Sequence, residues 1–283
     1  MAWYDKYLSI YDKPFHEVSQ NIIDETKEGL SKLQSDNPLI SIVVIAYNEE
    51  KHLQACLWSL SEIKCDYPVE IIGVNNDSTD RTEEIFKASG IPYYTEYQHS
   101  CGYARRCGLW NCKGKYYFDI DSDTLYPPEY FNIMMKELLK PNVSCVSSLW
   151  SYIPDENHSK FQLKLFELCR DIFLYIQHFK RPELSVRGLV FAYNAEYGRK
   201  EEYRVDIIRG EDGSMALALK KYGKIAFVRN RKARAITGYG TNDQTSVWET
   251  FKHHAKIQLK GISRIFYRKN LYEDSEENII NKQ

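Results

Sequence analysis

The sequence predicts an α/β domain on a mostly parallel central sheet, and three observations carry that expectation. Residues 41–47 (SIVVIAY) and 69–74 (VEIIGV) are β-branched and apolar without alternation, the pattern of strands buried on both faces of a parallel sheet. Stretches of helical periodicity separate the strand-like runs, which gives an alternating β-α-β-α-β order and hence right-handed crossovers. The polar clusters Tyr47-Asn48-Glu49, Asn75-Asn76-Asp77 and Asp121-Ser122-Asp123 stand at the carboxyl ends of three such runs, where ligands bind in sheets of this kind.

The elements follow in order. Residues 15–34 space Phe15, Val18, Ile22, Ile23, Leu30 and Leu33 as a helix, ended by the breaker cluster Ser35-Asp36-Asn37-Pro38. We take residues 1–38 as a helical N-terminal extension. A helix is expected over 49–61, and Asp77-Ser78-Thr79-Asp80 opens another with Ser78 or Thr79 as its cap. A strand over 91–97, a helix over 101–112 and the strand KYYFDID complete the first half at residue 124. The second half, 125–240, holds a helix over 127–140 with proline at its start. A strand follows over 143–150, then a long amphipathic helix over 159–180. In that helix Phe161, Leu165, Leu168, Ile172, Ile176 and Phe179 recur at helical spacing. A strand over 186–194, a helix over 211–222 and a strand over 225–228 follow.

Composition narrows the function. The chain has 283 residues, is 43% hydrophobic and carries a net charge of −1, which supports a globular core and argues against a nucleic-acid binder. Seven cysteines without metal-ligand spacing fit a reducing compartment; Cys101, Cys107 and Cys112 read as packing residues. The start, MAWYDKYLSIYDK, lacks the form of a signal peptide, and no run reaches the ~18 apolar residues needed to span a bilayer. A cytoplasmic location is expected.

The stretch YYFDIDSD concentrates Asp119, Asp121 and Asp123 at the end of a strand with no Lys or Arg among them. Alternate residues of an extended chain face the same way, so Asp121 and Asp123 converge on one point. Hard carboxylate oxygens suit Mn²⁺ or Mg²⁺, whose remaining ligands are often substrate phosphates.

Four motifs, VVIAYNEE, VNNDSTDRT, GYARRCGLWNCKGKYYFDIDSD and GEDGSMALALKKYG, in this order resemble the family 2 glycosyltransferases of the GT-A fold, over residues 39–240. The resemblance implies a Rossmann-like, mostly parallel sheet with flanking helices. Residues 39–124 would then bind the nucleotide sugar and 125–240 the acceptor. It also implies an inverting transfer of sugar from a nucleotide-diphosphate donor, a UDP-sugar in preference to a GDP-sugar, to a glycan or lipid-linked acceptor. Tyr47, Asn48, Glu49 and Asn76 would meet the nucleotide, and Arg105, in the G-x-A-R-x-x-G helix, would reach its phosphates or carbonyls. Asp123 would hold the metal, with Asp121 on the ribose or on the metal shell. Asp212 would be the general base, with Glu211 beside it. Asp119 is better placed to pair with Arg105 or Arg106 than to bind metal. His253 and His254 are further candidate ligands, though surface positions suit them better. Two alternatives stand beside this reading. A sugar-nucleotidyltransferase would want a Gly-rich, basic loop where Tyr47-Asn48-Glu49 stands, and a non-catalytic binding protein would have lost the acids.

From Lys224 to Lys269 the chain holds eleven Lys or Arg and two acids. Within it Trp248, Phe251, Ala255, Leu259, Ile262 and Phe266 form an apolar stripe, and Lys252, Lys256, Lys260 and Arg264 another face. Residues 241–283 therefore read as a basic amphipathic extension that either packs on the domain or makes peripheral membrane contact.

Overall fold

The computed structural model describes residues 2–156 and 158–238. The basic C-terminal extension, with His253 and His254, lies outside the described residues.

Helix α1 (Gln20–Leu33) precedes strand β1 (Ile40–Ala46), followed by α2 (Leu53–Ser61), β2 (Val69–Asn75), α3 (Thr82–Ser89) and β3 (Tyr93–Thr95). Next come α4 (Cys101–Asn111), β4 (Tyr116–Asp121), the short β5 (Thr124–Leu125) and α5 (Tyr130–Leu138). Strands β6 (Val143–Ser148) and β7 (Trp150–Tyr152) lead into α6 (Lys160–Lys180). The order closes with β8 (Phe191–Asn194), α7 (Ala195–Glu201), α8 (Glu211–Leu219), β9 (Lys224–Val228) and β10 (Ala235–Thr237).

The expected mostly parallel sheet is present, with seven strands in the order β3-β2-β1-β4-β8-β6-β9. Strands β3, β2, β1 and β4 run parallel, and β8 alone opposes its neighbours β4 and β6. Every residue of β1 and β2 is buried, as their unbroken apolar texture requires of strands covered on both faces. The chain winds outward from β1 to β3, then returns to place β4 on the other side of β1. That reversal opens a crevice above the carboxyl ends of β1 and β4. A second sheet, β5-β10-β7, stands beside it.

The N-terminal segment is continuous with the main core. Tyr7, Ile10, Phe15, Val18 and Leu30 are buried in the same cluster as Ile42, Val44 and Phe118. At Gly29 a Cβ would lie 2.8 Å from the Ser61 carbonyl oxygen, so the missing side chain lets α1 cross close over α2.

Three local expectations need correction, and the structure adds an orientation for α6. Neither Ser78 nor Thr79 caps α3: the cap position is Arg81, and Asp80 Oδ1 instead accepts from the Thr82 amide at 2.9 Å. The strand expected over 143–150 is divided, because β7 joins the second sheet. The strand expected over 186–194 shortens to β8, because residues 188–190 form a 3₁₀ turn. Helix α6 forms as expected but turns its apolar stripe outward. Leu163, Phe166, Glu167, Arg170 and Leu174 face inward, and Phe161 is 77% and Phe179 69% exposed. Two polar anchors set that orientation. Glu167 accepts from the Tyr152 amide at 2.8 Å, and the Arg170 guanidinium lies 4.2 Å from the Trp150 ring centre.

Candidate active site

Helix α4 builds one wall of the crevice. Ser100 caps it by accepting from the Tyr103 amide at 3.2 Å, the N-cap role that Ser favours. Its glycines let it settle deeply: a Cβ on Gly102 would lie 2.3 Å from the Arg204 carbonyl oxygen, and one on Gly108 2.4 Å from Val43 Cγ1. This close seating puts Arg105, only 3% exposed, beneath the crevice floor.

Arg105 gathers acids from two elements, β4 and α8. Its Nη2 donates to Asp121 Oδ1 at 2.9 Å, Nη1 lies 3.1 Å from Asp119 Oδ1, Nε 3.0 Å from Asp212 Oδ1 and 3.6 Å from Glu211 Oε1. Asp119, the acid expected to pair rather than to ligate, also accepts from the Tyr203 hydroxyl at 2.5 Å. Burial pushes its carboxyl up to about 6 against the pull of Arg105. Arg106 takes no part and lies over the Tyr103 ring at 4.9 Å.

Another wall begins at Gly210, whose φ of +97° is one that glycine adopts without strain. Glu211 and Asp212 fill the first turn of α8, where the helix dipole favours negative charge. Asp212 Oδ2 accepts from the Gly188 amide at 2.7 Å. A Cβ at Gly188 would lie 1.8 Å from Arg105 Nη2 and 2.8 Å from Asp212 Oδ2, so glycine is required there. Asp212 Oδ1 has no hydrogen-bond partner among the described residues. Burial raises the Asp212 carboxyl well above the carboxylate range, and Arg105 opposes that rise.

At the floor, the main-chain carbonyl of Asp123 accepts from the Tyr11 hydroxyl at 2.7 Å, and its carboxylate from Thr124 Oγ1 at 3.0 Å. Burial, then the charges of Asp121 and Glu49, push the Asp123 carboxyl up to about 7. Four acids around one guanidinium, with Asp123 and Glu49 close by, leave surplus negative charge that a cation would relieve. Asp121 and Asp123 offer the hard oxygens Mn²⁺ or Mg²⁺ prefers. Among the described residues no cluster of three or more His, Cys, Asp or Glu is arranged to hold a metal, so a cation here would need phosphate or water oxygens as well.

One cleft of about 330 Å³ is lined by Tyr47, Glu49, Asn76, Arg105, Asp121, Asp123, Glu211 and Asp212. Tyr47, 51% exposed, has its ring 5.2 Å from that of His99. Asn76 Nδ2 donates to the carbonyls of Glu96 and Gln98, each at 2.8 Å. Asn48 does not line the cleft. Its carbonyl oxygen Oδ1 accepts from the Thr79 amide at 2.8 Å, and its φ of +54° marks it as the pivot of the turn, a left-handed position asparagine tolerates.

Several cleft residues escaped sequence reasoning. Arg187 and Gly188 line it from a segment that read as plain strand. His52 bonds Glu49 Oε2 at 2.7 Å and Asp12 Oδ1 at 2.9 Å, a link across the N-terminal segment that no local pattern reveals. Cys101, expected to be a packing residue, is exposed and lines the cleft.

Known proteins share the family and the fold of this chain. Residues 41–196 match the family described as Glycosyl transferase family 2. The chain belongs to that family. A family relative by sequence, glycosyltransferase GlyA of Streptococcus pneumoniae, is 28% identical over 188 residues, covering 62% of this chain and 27% of GlyA. The chain spans less than half the length of the curated relatives that head the comparison. Among solved structures, glucosyl-3-phosphoglycerate synthase from Mycobacterium tuberculosis superposes with a TM-score of 0.53 at 21% identity, covering 88% of this chain and 85% of that one. That structure holds Mn²⁺, UDP-glucose and phosphoglyceric acid. A mannosyltransferase from Pyrobaculum calidifontis, in complex with GDP-Man and Mn²⁺, superposes with a TM-score of 0.56 at 16% identity, covering 93% of this chain and 76% of that one. The fold of this family 2 chain is thus the GT-A fold. No described helix is long and apolar enough to cross a membrane.

Proposed function

We propose that the chain is an inverting glycosyltransferase. It moves a sugar from a nucleotide-diphosphate donor, a UDP-sugar in preference to a GDP-sugar, to a hydroxyl of a glycan or lipid-linked acceptor. One observation supports the reading: the Asp121/Asp123 pair and Asp212, distant in sequence, line a single cleft. The Mn²⁺ and nucleotide sugars held by two similar folds support the donor class.

In this reading the Tyr47 ring offers a face to the base, and Arg187 at the cleft wall supplies a guanidinium fork for the diphosphate. Asp212 takes the proton of the acceptor hydroxyl as its oxygen bonds to the anomeric carbon. The bond from that carbon to the diphosphate oxygen breaks, and the leaving group departs with the electron pair. Attack from the face opposite the departing group inverts the centre. When bound at Asp123 and Asp121, Mn²⁺ or Mg²⁺ would neutralise charge on the diphosphate. Seven free cysteines support a reducing, cytoplasmic setting.

A thermal-shift panel of UDP- and GDP-sugars with Mn²⁺ tests the donor class, because a ligand bound only by the folded state raises the melting point. At least one UDP-sugar should do so. A panel in which no nucleotide sugar shifts the transition rejects the reading. Where a product forms, NMR showing a retained anomeric configuration rejects single displacement.

A further inference from the structure

The chain before β1 precedes the family match, which spans residues 41–196, yet it reaches the floor of the cleft. Tyr11, 8% exposed, donates from its hydroxyl to the main-chain carbonyl of Asp123 at 2.7 Å. The same hydroxyl accepts from the Gly238 amide at 3.1 Å. One phenol oxygen thus joins positions 112 and 227 residues away in sequence. Thr237 Oγ1, another donor to the Asp123 carbonyl, stands at 3.5 Å, beyond the usual range of such bonds. Tyr11 supplies the strong contact.

Its surroundings hold that hydroxyl in place. The Tyr11 ring lies 4.7 Å from the ring of His52, which bonds Glu49 Oε2 through Nδ1 and Asp12 Oδ1 through Nε2. Asp12 takes a φ of +67°, a left-handed position that aspartate tolerates. Residues 11 and 12 therefore grip one imidazole, the first by ring contact and the second by a hydrogen bond. The turn that carries Asp123 is tied elsewhere too. Thr124 and Leu125 pair with Thr237 and Ile236, and Cys56 Sγ donates to the Asp121 carbonyl at 3.7 Å.

We propose that Tyr11 is a positioning residue for the metal site, fixing the main chain at Asp123 so that its carboxylate stays in the cleft with that of Asp121. This role rests on the reading above, in which Asp123 and Asp121 hold the divalent ion. Glu49, Asp121 and Asp123 line one cleft, and like charges gathered in this way repel. A loose turn would relax by swinging Asp123 away. A turn tied by its carbonyl keeps the carboxylate where a cation can meet it. Ligands ordered before binding lose less freedom when the ion arrives, which raises affinity.

Tyr11→Phe keeps the ring beside His52 and removes only the hydroxyl. Tyr7→Phe is the matched control. Tyr7 is buried in the same segment, and its hydroxyl donates to Glu62 Oε2 at 2.7 Å, an acid that does not line the cleft. Mn²⁺ is titrated by calorimetry into each full-length protein saturated with UDP, and in parallel with GDP; urea denaturation reports folding. Both substitutions should lower stability modestly, since each removes one hydrogen bond. Only Tyr11→Phe should weaken Mn²⁺ affinity, by about three- to tenfold. Affinity for the nucleotide with chelator present should match the parent's in both variants. Parent-like Mn²⁺ affinity in Tyr11→Phe overturns the proposal. An equal loss in Tyr7→Phe also overturns it, by assigning Tyr11 to general support of the fold. A parent that binds no Mn²⁺ with either nucleotide rejects instead the reading beneath, and the proposal with it.

Discussion

Arg105 Nε lies 3.0 Å from Asp212 Oδ1, so the acid proposed as base is held by the same guanidinium that hydrogen-bonds Asp121. Arg105, only 3% exposed, compensates four carboxylates. Removing one partner from a buried charge cluster is far more costly than the cluster's net worth. Arg105→Ala should therefore lower stability by about 3–5 kcal/mol at neutral pH, measured by urea denaturation. Arg105→Lys should recover part of that loss, since a point charge cannot match the fork. An Arg105→Ala protein as stable as the parent would mean that the acids are neutral in the folded state.

Asp212 should govern turnover rather than donor affinity. Asp212→Asn keeps the shape and an acceptor for the Gly188 amide but cannot take a proton. Transfer should fall by at least about 10²-fold, and calorimetric donor affinity should stay near that of the parent. Loss of donor binding instead would reassign Asp212 to holding the nucleotide or the fold. The pH profile carries a second reading. Burial raises the Asp212 carboxyl, and a base works only when deprotonated, so kcat/KM should rise with pH through an apparent pKa above the ordinary value of about 4 for aspartate. A flat acid limb down to that value would remove Asp212 from the role.

Metal binding should depend on Asp123. Its carboxyl, pushed up to about 7 by burial and by the charges of Asp121 and Glu49, sits where a divalent ion would relieve repulsion. In the parent, a chelator should weaken nucleotide-sugar binding, and in Asp123→Ala the chelator should change nothing. Titration calorimetry with and without Mn²⁺ checks both. Parent affinity indifferent to chelator would end the metal assignment.

The sheet and most of the acids were legible because their signals are local. Unbroken apolar runs state that β1 and β2 are buried, and an acidic cluster at a strand end states that something else is needed there. What was hidden depends on long-range packing. The stripe of α6 gives the same helical period whether it faces inward or outward; Glu167 and Arg170, bound to a strand formed elsewhere, settle the choice. Asn48 has the chemistry to read a base, and only its bond to Thr79 shows the side chain engaged within the turn. Gly188 is one glycine among fourteen until the fold sets Arg105 and Asp212 against it. The link from Asp12 and Tyr11 to the cleft spans too much sequence for any pattern to show.

That link makes a stability prediction. His52 lies between Glu49 and Asp12, with its ring 4.7 Å from that of Tyr11. Burial pulls its pKa down, but hydrogen bonds to Asp12 and Glu49, with their charges, outweigh burial and lift it to about 9. The unfolded chain titrates near 6.5, so the folded state binds this proton more tightly. The sign follows from linkage: the stabilisation is fully present below about 6.5 and is lost as pH rises through about 9. The shift bounds the contribution at about 3 kcal/mol, and the exposure of Asp12, 74%, brings it lower through solvent screening. Metal-free parent protein should therefore lose melting temperature between pH 6.5 and 9 more steeply than His52→Gln, in which this proton is absent. Parallel curves for the two proteins would show that His52 is neutral in the native state and that the N-terminal segment is held to the cleft by packing alone.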